Sequence, residues 1–322
     1  MTKPRILLTR RWPEAAETRL AQRYDVVRNE SDTPLDQAAL AAAMADFDAL
    51  CPTVTDRIDA AVIGRPGRVK IIGNYGVGYN HIDVDAAKQA GVVVTNTPGV
   101  LTDATADIAL TLLLMAARRA GEGERLARAG RWDGWAPTQL MGQSLAGKTL
   151  GLIGFGRIAR ATAARAAHGF GMKILYSAPR RQAAGHEQAV GATFVESVDQ
   201  LLPQVDFLSL HCPGGAETYH LIDARRLGLL RPTAVIINTA RGTVIDEAAL
   251  AKALAEGRIA AAGLDVYEQE PVIHPALRDL ENVTLLPHLG SATIETRVAM
   301  GMRVADNLDA FFEGHAPEDR VA

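Results

Sequence analysis

KTLGLIGFGRIAR (residues 148–160) carries more architectural information than any other part of the chain. An apolar run of strand length leads into Gly154-Phe155-Gly156, and RIAR continues with helix-forming residues. A strand that meets a helix across such a turn opens a βαβ unit, and there the glycines have separate tasks. Gly154 permits the tight turn, Gly156 lets the backbone approach a diphosphate, and Ala159 fills the third position, where only a small residue is needed for helix–strand packing. The amides of Arg157 and Ile158 then face an anion at the positive end of the helix, with Phe155 counted beside them as a contact.

About 20 residues on, a dinucleotide-binding unit ordinarily carries an acid that grips the ribose 2′-hydroxyl of NAD. Here the second strand, MKILY, runs into YSAPRRQ (176–182), which has no acid. A carboxylate would repel a 2′-phosphate, whereas Ser177, Arg180 and Arg181 suit one. The alternative is that the two arginines are ordinary solvated loop residues. Their place beside the adenosine ribose favours NADPH as the preferred cofactor, with NAD possible.

The rest of the chain fits an α/β architecture. RILLT, YDVVR, DALC, KIIGNYG and GVVVTN read as strands in the first hundred residues, with helical segments such as PEAAETRLAQR and LDQAALAAAMAD between them. A second series, KTLGLIG, MKILY, VDFLSLHCP, AVIINTA, IAAAGLDV and VTLLPH, is nearly continuous in apolar residues, as strands covered on both faces are. Two Rossmann-like, doubly wound parallel-sheet domains are expected, with the active site in the cleft between them. Breaks at NTPGV (96–100) and HLGSAT (288–293) place a discontinuous substrate-binding domain at 1–98 plus 290–322 and the dinucleotide-binding domain at 99–289.

With 48% hydrophobic and 22% charged residues and a net charge of −3, the 322-residue chain has no general attraction for nucleic acid or acidic membrane. IALTLLLMAA (108–117) is too short to span a bilayer and is flanked by Asp107 and Arg118. The N-terminus passes into an apolar strand without a signal-peptide core, so a soluble cytoplasmic protein is expected. Cys51 and Cys212, far apart and outside any metal-ligand spacing, read as small buried thiols, and no metal site is expected.

Three further stretches fall at strand ends: INTARGTVID (237–246), GLDVYEQEP (263–271) and LLPHLGSAT (285–293). With them the sequence resembles the D-isomer-specific 2-hydroxyacid dehydrogenases over essentially its whole length. That resemblance matches Arg241 in N-x-x-R-G, Glu270 before a Pro and His288 in P-H-x-G-S to the family's catalytic residues. The chemistry agrees. Reducing a 2-keto acid needs a hydride donor, a cation for the carboxylate and a proton donor for the emerging alkoxide. Arg241 offers a planar fork of donors, His288 a titratable proton, and Glu270 a partner that orients the imidazole and favours its protonated form.

The resemblance also implies that Val77 and Gly78, in GNYGVGYNHID, donate backbone amides to the substrate carboxylate, with Leu50 lining the pocket. Around the nicotinamide it implies Cys212, Pro213, Thr239, Ala240, Asp265 and Gly290, with Thr105 and Thr218 as further cofactor contacts. Asp265 competes with a structural role at its strand end, and either threonine could instead cap a helix. DALC, TPGVLTDATAD and RWDGWAP resemble the glyoxylate/hydroxypyruvate reductase (D-glycerate dehydrogenase) branch, which often puts Arg directly after the Tyr-Ser pair. This chain has Ala178 and Pro179 there, so Arg180 or Arg181 must reach back. The chain ends soon after its last helix, unlike the phosphoglycerate enzymes that carry an extra regulatory domain.

The expected activity is NADPH-preferring reduction of glyoxylate or hydroxypyruvate to glycolate or D-glycerate. Alternatives are another D-2-hydroxy acid, such as D-lactate or a larger one, or a nicotinamide-sensing binding protein like the dehydrogenase-related corepressors. A homodimer is expected, with Trp132 or Trp135 either reaching a partner's pocket or packing within its own subunit; a sedimentation mass of one chain would contradict it.

Overall fold

Apolar alternation along the strands explains the layers. In the strand Arg5–Leu8 (β1), Ile6 and Leu8 point to one face and Leu7 to the other, and each meets its own buried cluster. In the computed structural model, which describes residues 3–64 and 67–322, the chain divides into two units, Met1–Leu101 with Ser291–Ala322 and Thr102–Gly290.

The first unit holds β1, Asp25–Arg28 (β2), Ala49–Cys51 (β3), Ile71–Gly73 (β4) and Val93–Thr95 (β5) in a parallel sheet of order β2-β1-β3-β4-β5. On one face, Ile6, Leu8, Ala49 and Ile71 cluster with Leu20 of helix Glu14–Arg23 and Val304 and Leu308 of helix Ile294–Phe312. On the other, Leu7, Leu50, Ile72 and Val94 cluster with Leu40 and Met44 of helix Gln37–Asp46. Each such fully buried Leu or Ile contributes about 1.5–3 kcal/mol relative to exposure. The final helix starts where HLGSAT predicts a break, because the Thr293 hydroxyl caps the Thr296 amide at 3.1 Å.

The second unit holds Thr149–Ile153 (β6), Lys173–Ser177 (β7), Thr193–Phe194 (β8), Phe207–Leu210 (β9), Val235–Asn238 (β10), Ala261–Leu264 (β11) and Val283–Leu285 (β12). All pair in parallel, in the order β12-β11-β10-β9-β6-β7-β8. The order reverses at β6, so a crevice opens beyond the carboxyl ends of β6 and β9, where open α/β sheets bind their ligands. Both faces are again covered: Val235 and Ile237 of β10 enter one cluster and Ile236 the other. Every strand but β8, a two-residue edge strand, coincides with one of the apolar runs above. KIIGNYG and GVVVTN shorten to three-residue strands, since Asn74 and Asn96 bond with their side chains to the loop that follows β4. Among the described residues, no helix is long and apolar enough to cross a membrane.

Candidate active site

The turn after β6 is shaped for close approach. Gly154 has φ 87°, and a Cβ there would lie 2.9 Å from the His211 carbonyl oxygen after β9, so only glycine fits. Gly156 caps the helix Arg157–Ala164 without a side chain, which leaves the amides at its start for an external acceptor. Phe155 is buried and stacked on Tyr176, with centroids 4.1 Å apart and planes 16° apart, so it offers a ligand its backbone and not its ring. Ala159 is fully buried against the sheet, as its place in the motif requires.

At the end of β7, Ser177 is buried and its carbonyl accepts from the Gly154 amide at 2.8 Å. The two arginines differ. Arg180 is exposed, and Arg181 forms a fork with Glu187, Nε to Oε1 at 2.9 Å and Nη2 to Oε2 at 2.8 Å. Arg181 and Tyr176 together hold the Glu187 carboxyl down to about 2, so it is ionised at any pH near neutrality. Nothing in the sequence signals Glu187, which sits in an otherwise polar short helix, Ala184–Gln188.

Strand register assembles the catalytic candidates. Asn238, Leu264 and Leu285 lie side by side across β10, β11 and β12, so residues a few positions beyond each meet at one edge. Arg241 follows β10 in a turn braced by Asn238, whose side chain donates to the Arg241 carbonyl (2.9 Å) and accepts from the Ala240 amide (3.0 Å). Gly242 brings this turn against the next loop, since a Cβ there would fall 1.8 Å from the Tyr267 carbonyl carbon. The Arg241 guanidinium also donates to the Ala240 carbonyl at 2.7 Å; burial lowers its pKa and the Glu270 charge opposes that.

Glu270 uses both oxygens. Oε2 meets His288 Nδ1 at 2.8 Å, and Oε1 accepts from the Tyr267 amide at 3.1 Å. Burial pushes its carboxyl up, but the His288 hydrogen bond and charge, the Tyr267 amide and Arg241 outweigh that, leaving it below the usual range and ionised. An ionised Glu270 fixes the proton of the pair on Nδ1, and Nε2 is the ring nitrogen that the pair leaves uncommitted.

Asp265 proves to be the anchor of the histidine loop. Its two oxygens accept from the Leu289 (2.6 Å) and Gly290 (2.8 Å) amides, and its carbonyl accepts from the His288 amide (3.0 Å). Burial raises its carboxyl, against the pull of those amides and of His288. Thr105 closes the loop from the other side, donating to the Gly290 carbonyl at 3.0 Å. These bonds hold His288 at φ 55°, a left-handed conformation that non-glycine residues rarely adopt.

The remaining candidates divide by what they have left to offer. Thr218 ties its own turn, donating to Pro213 at 2.7 Å. Burial pushes the Cys212 thiol up to about 11, so it stays protonated near neutrality and Cys212 is no thiolate nucleophile. Thr239, beside Ala240, has a buried hydroxyl with no hydrogen-bond partner among the described residues. That orphaned group, the uncapped helix start and the Gly154 approach fit a nicotinamide dinucleotide. In the first unit, Asn74 donates to the Gly76 and Gly78 carbonyls (both 3.0 Å) and Asn96 to the Val77 carbonyl (2.8 Å). The loop's carbonyls are thereby occupied, and the Val77 and Gly78 amides donate to no described group. Leu50, expected beside the substrate, is fully buried within its own cluster, where its side chain packs the core of the first unit.

His211, ahead of Cys212, has its Nε2 2.9 Å from the Ser209 hydroxyl, and burial depresses its pKa to about 4. The depressed value means the stability tied to the neutral ring is complete above the unfolded value of about 6.5 and is lost as pH falls toward 4. The shift corresponds to at most ~3 kcal/mol, less because the residue keeps some exposure. Thermal midpoints should therefore fall between pH 7 and pH 5, and His211→Asn should flatten that slope; an unchanged slope would contradict the assignment.

This arrangement, a glycine turn opening a helix and an Arg–Glu–His edge on one parallel sheet, belongs to an NAD(P)-dependent oxidoreductase, as the relatives of the chain show. Residues 110–290 match the family model of the D-isomer specific 2-hydroxyacid dehydrogenase NAD-binding domain, and the chain belongs to that family. A glyoxylate reductase of Thermococcus litoralis is 45% identical over 323 residues, covering 99% of this chain and 97% of the relative. One from Aeropyrum pernix is 43% identical over 328 residues, covering 100% and 96%. Among solved structures, an NADPH-dependent glyoxylate/hydroxypyruvate reductase of Sinorhizobium meliloti, in complex with NADP and malonate, superposes with a TM-score of 0.89 at 38% identity, covering 100% of this chain and 97% of that one.

Proposed function

We propose that the protein reduces glyoxylate and hydroxypyruvate to glycolate and D-glycerate, with NADPH preferred. The observation that carries this reading is the His288–Glu270 pair beside the braced Arg241 turn. The bound cofactor supplies the hydride. Arg241 holds the substrate carboxylate and polarises the keto oxygen with its fork of donors. His288 Nε2 would give its proton to that oxygen, and Glu270, ionised, would stabilise the imidazolium beforehand. The reverse direction uses the neutral ring to take the proton back. Val77 and Gly78 supply backbone amides to the carboxylate, and Thr239 takes the carboxamide.

The preference for NADPH rests on Ser177 and Arg180, where an NAD-specific loop would carry an acid. The same reading takes the working form to be a cytoplasmic homodimer, with the exposed Trp132 and Trp135 available to a second copy. At saturating NADPH, kcat/KM for glyoxylate and hydroxypyruvate should exceed that for pyruvate and phenylpyruvate, and hydroxypyruvate should give the D product alone. Preferred turnover of a larger keto acid would move the assignment to another dehydrogenase of the family. Absence of turnover on all four would favour a binding protein.

A further inference from the structure

Two adjacent arginines invite the reading that both grip a 2′-phosphate. The hydrogen bonds separate them. The Arg181 fork occupies both oxygens of Glu187, and Tyr176 adds a bond from its hydroxyl to Oε1 at 2.7 Å. Glu187 is the fixed member of the pair: its side chain is 9% exposed, against 67% for Arg181. Tyr176 is fully buried, stacked on Phe155 of the phosphate turn, and its hydroxyl accepts from the Gln182 amide at 2.9 Å. A line of contacts thus runs from the phosphate turn through Tyr176 and Glu187 to the backbone at residues 181–182. Were Arg181 to swing onto a phosphate, the Glu187 carboxylate would be left largely buried without its cation and close to a like charge. Arg180 carries no such obligation; among the described residues no carboxylate engages it.

We propose that Arg181 and Glu187 form a fixed clamp that sets the shape of the adenosine-ribose loop, leaving Arg180 as the residue that receives the 2′-phosphate. Arg181 is then a positioning residue and Glu187 its anchor. The inference rests on the NADPH reading above, and it divides labour between two arginines that the sequence leaves equivalent.

Equilibrium dissociation constants for NADPH and NADH, read from cofactor fluorescence, test it. Arg180→Ala should weaken NADPH by ~10-fold or more, the scale of one charge-assisted phosphate contact, and leave NADH within about twofold. Arg181→Ala and Glu187→Gln should weaken both cofactors by a common factor, so that their ratio stays within about twofold of wild type. Arg181→Lys, which keeps a cation on Glu187, should recover NADH affinity. Arg180 is exposed, so Arg180→Ala retains the scaffold, and Arg181→Lys keeps a cation on Glu187 where Arg181→Ala removes it. Loss of NADPH alone in Arg181→Ala, or no change for either cofactor, would overturn the clamp while a wild-type NADPH preference kept the cofactor reading standing. A wild-type ratio near one would overturn both.

Discussion

Replacing His288 with Asn is expected to lower kcat in both directions by ~10²–10⁴, the range that a positioned acid–base group supplies. Asn is the informative substitution because His288 sits at φ 55°, and Asn tolerates that conformation better than Ala. The loop is held by Asp265 through the amides of Leu289 and Gly290, bonds that do not involve the imidazole. The His288→Asn variant should therefore keep its fold and bind NADPH unchanged. Single-turnover rates would separate chemistry from release. Near-normal hydride transfer in a folded variant would remove His288 as the proton donor.

Arg241→Ala should be as damaging by a different route. The guanidinium is asked to bind the carboxylate and to stabilise charge growing on the keto oxygen, so kcat falls and KM rises together. A loss in kcat/KM on the order of 10³, about 4 kcal/mol, is expected for removing such a preorganised donor. The change also withdraws one of the charges that hold the Glu270 carboxyl low, so that carboxyl should rise. Arg241→Lys restores a point charge without the fork and should recover only part of the loss. Intact kcat with raised KM in the Ala variant would confine Arg241 to ground-state binding.

The sequence makes the layered fold readable because strands covered on both faces are apolar almost continuously, and helix-forming segments separate them. The β8 edge strand escapes detection since Thr193 and Phe194 are too few to show alternation. The glycine turn is legible for a stronger reason: the His211 backbone leaves no room for a side chain at Gly154, and Ala159 is fully buried where only a small residue packs. Arg241, Glu270 and His288 are legible as motif positions, yet their meeting depends on the register that sets Asn238, Leu264 and Leu285 abreast. Supporting residues leave no such trace. Asp265 reads equally as a cofactor contact and as a strand-end residue until its oxygens are seen on two amides. Glu187 lies in a stretch that resembles any exposed helix, and only the folded chain shows that it takes up Arg181. Leu50 is named by its place in a motif, and a motif position does not say to which side of the sheet the residue points; it packs among Leu40, Ile72 and Val94.

Reductase chemistry and cofactor choice are both tested by kcat/KM for glyoxylate, measured with NADPH and with NADH side by side on the full chain. Ready turnover is expected, with a clear NADPH preference that Arg180→Ala abolishes. Turnover that favours NADH would contradict the assignment of the loop after β7 to a 2′-phosphate, and absence of glyoxylate turnover with either cofactor would contradict the reductase assignment itself.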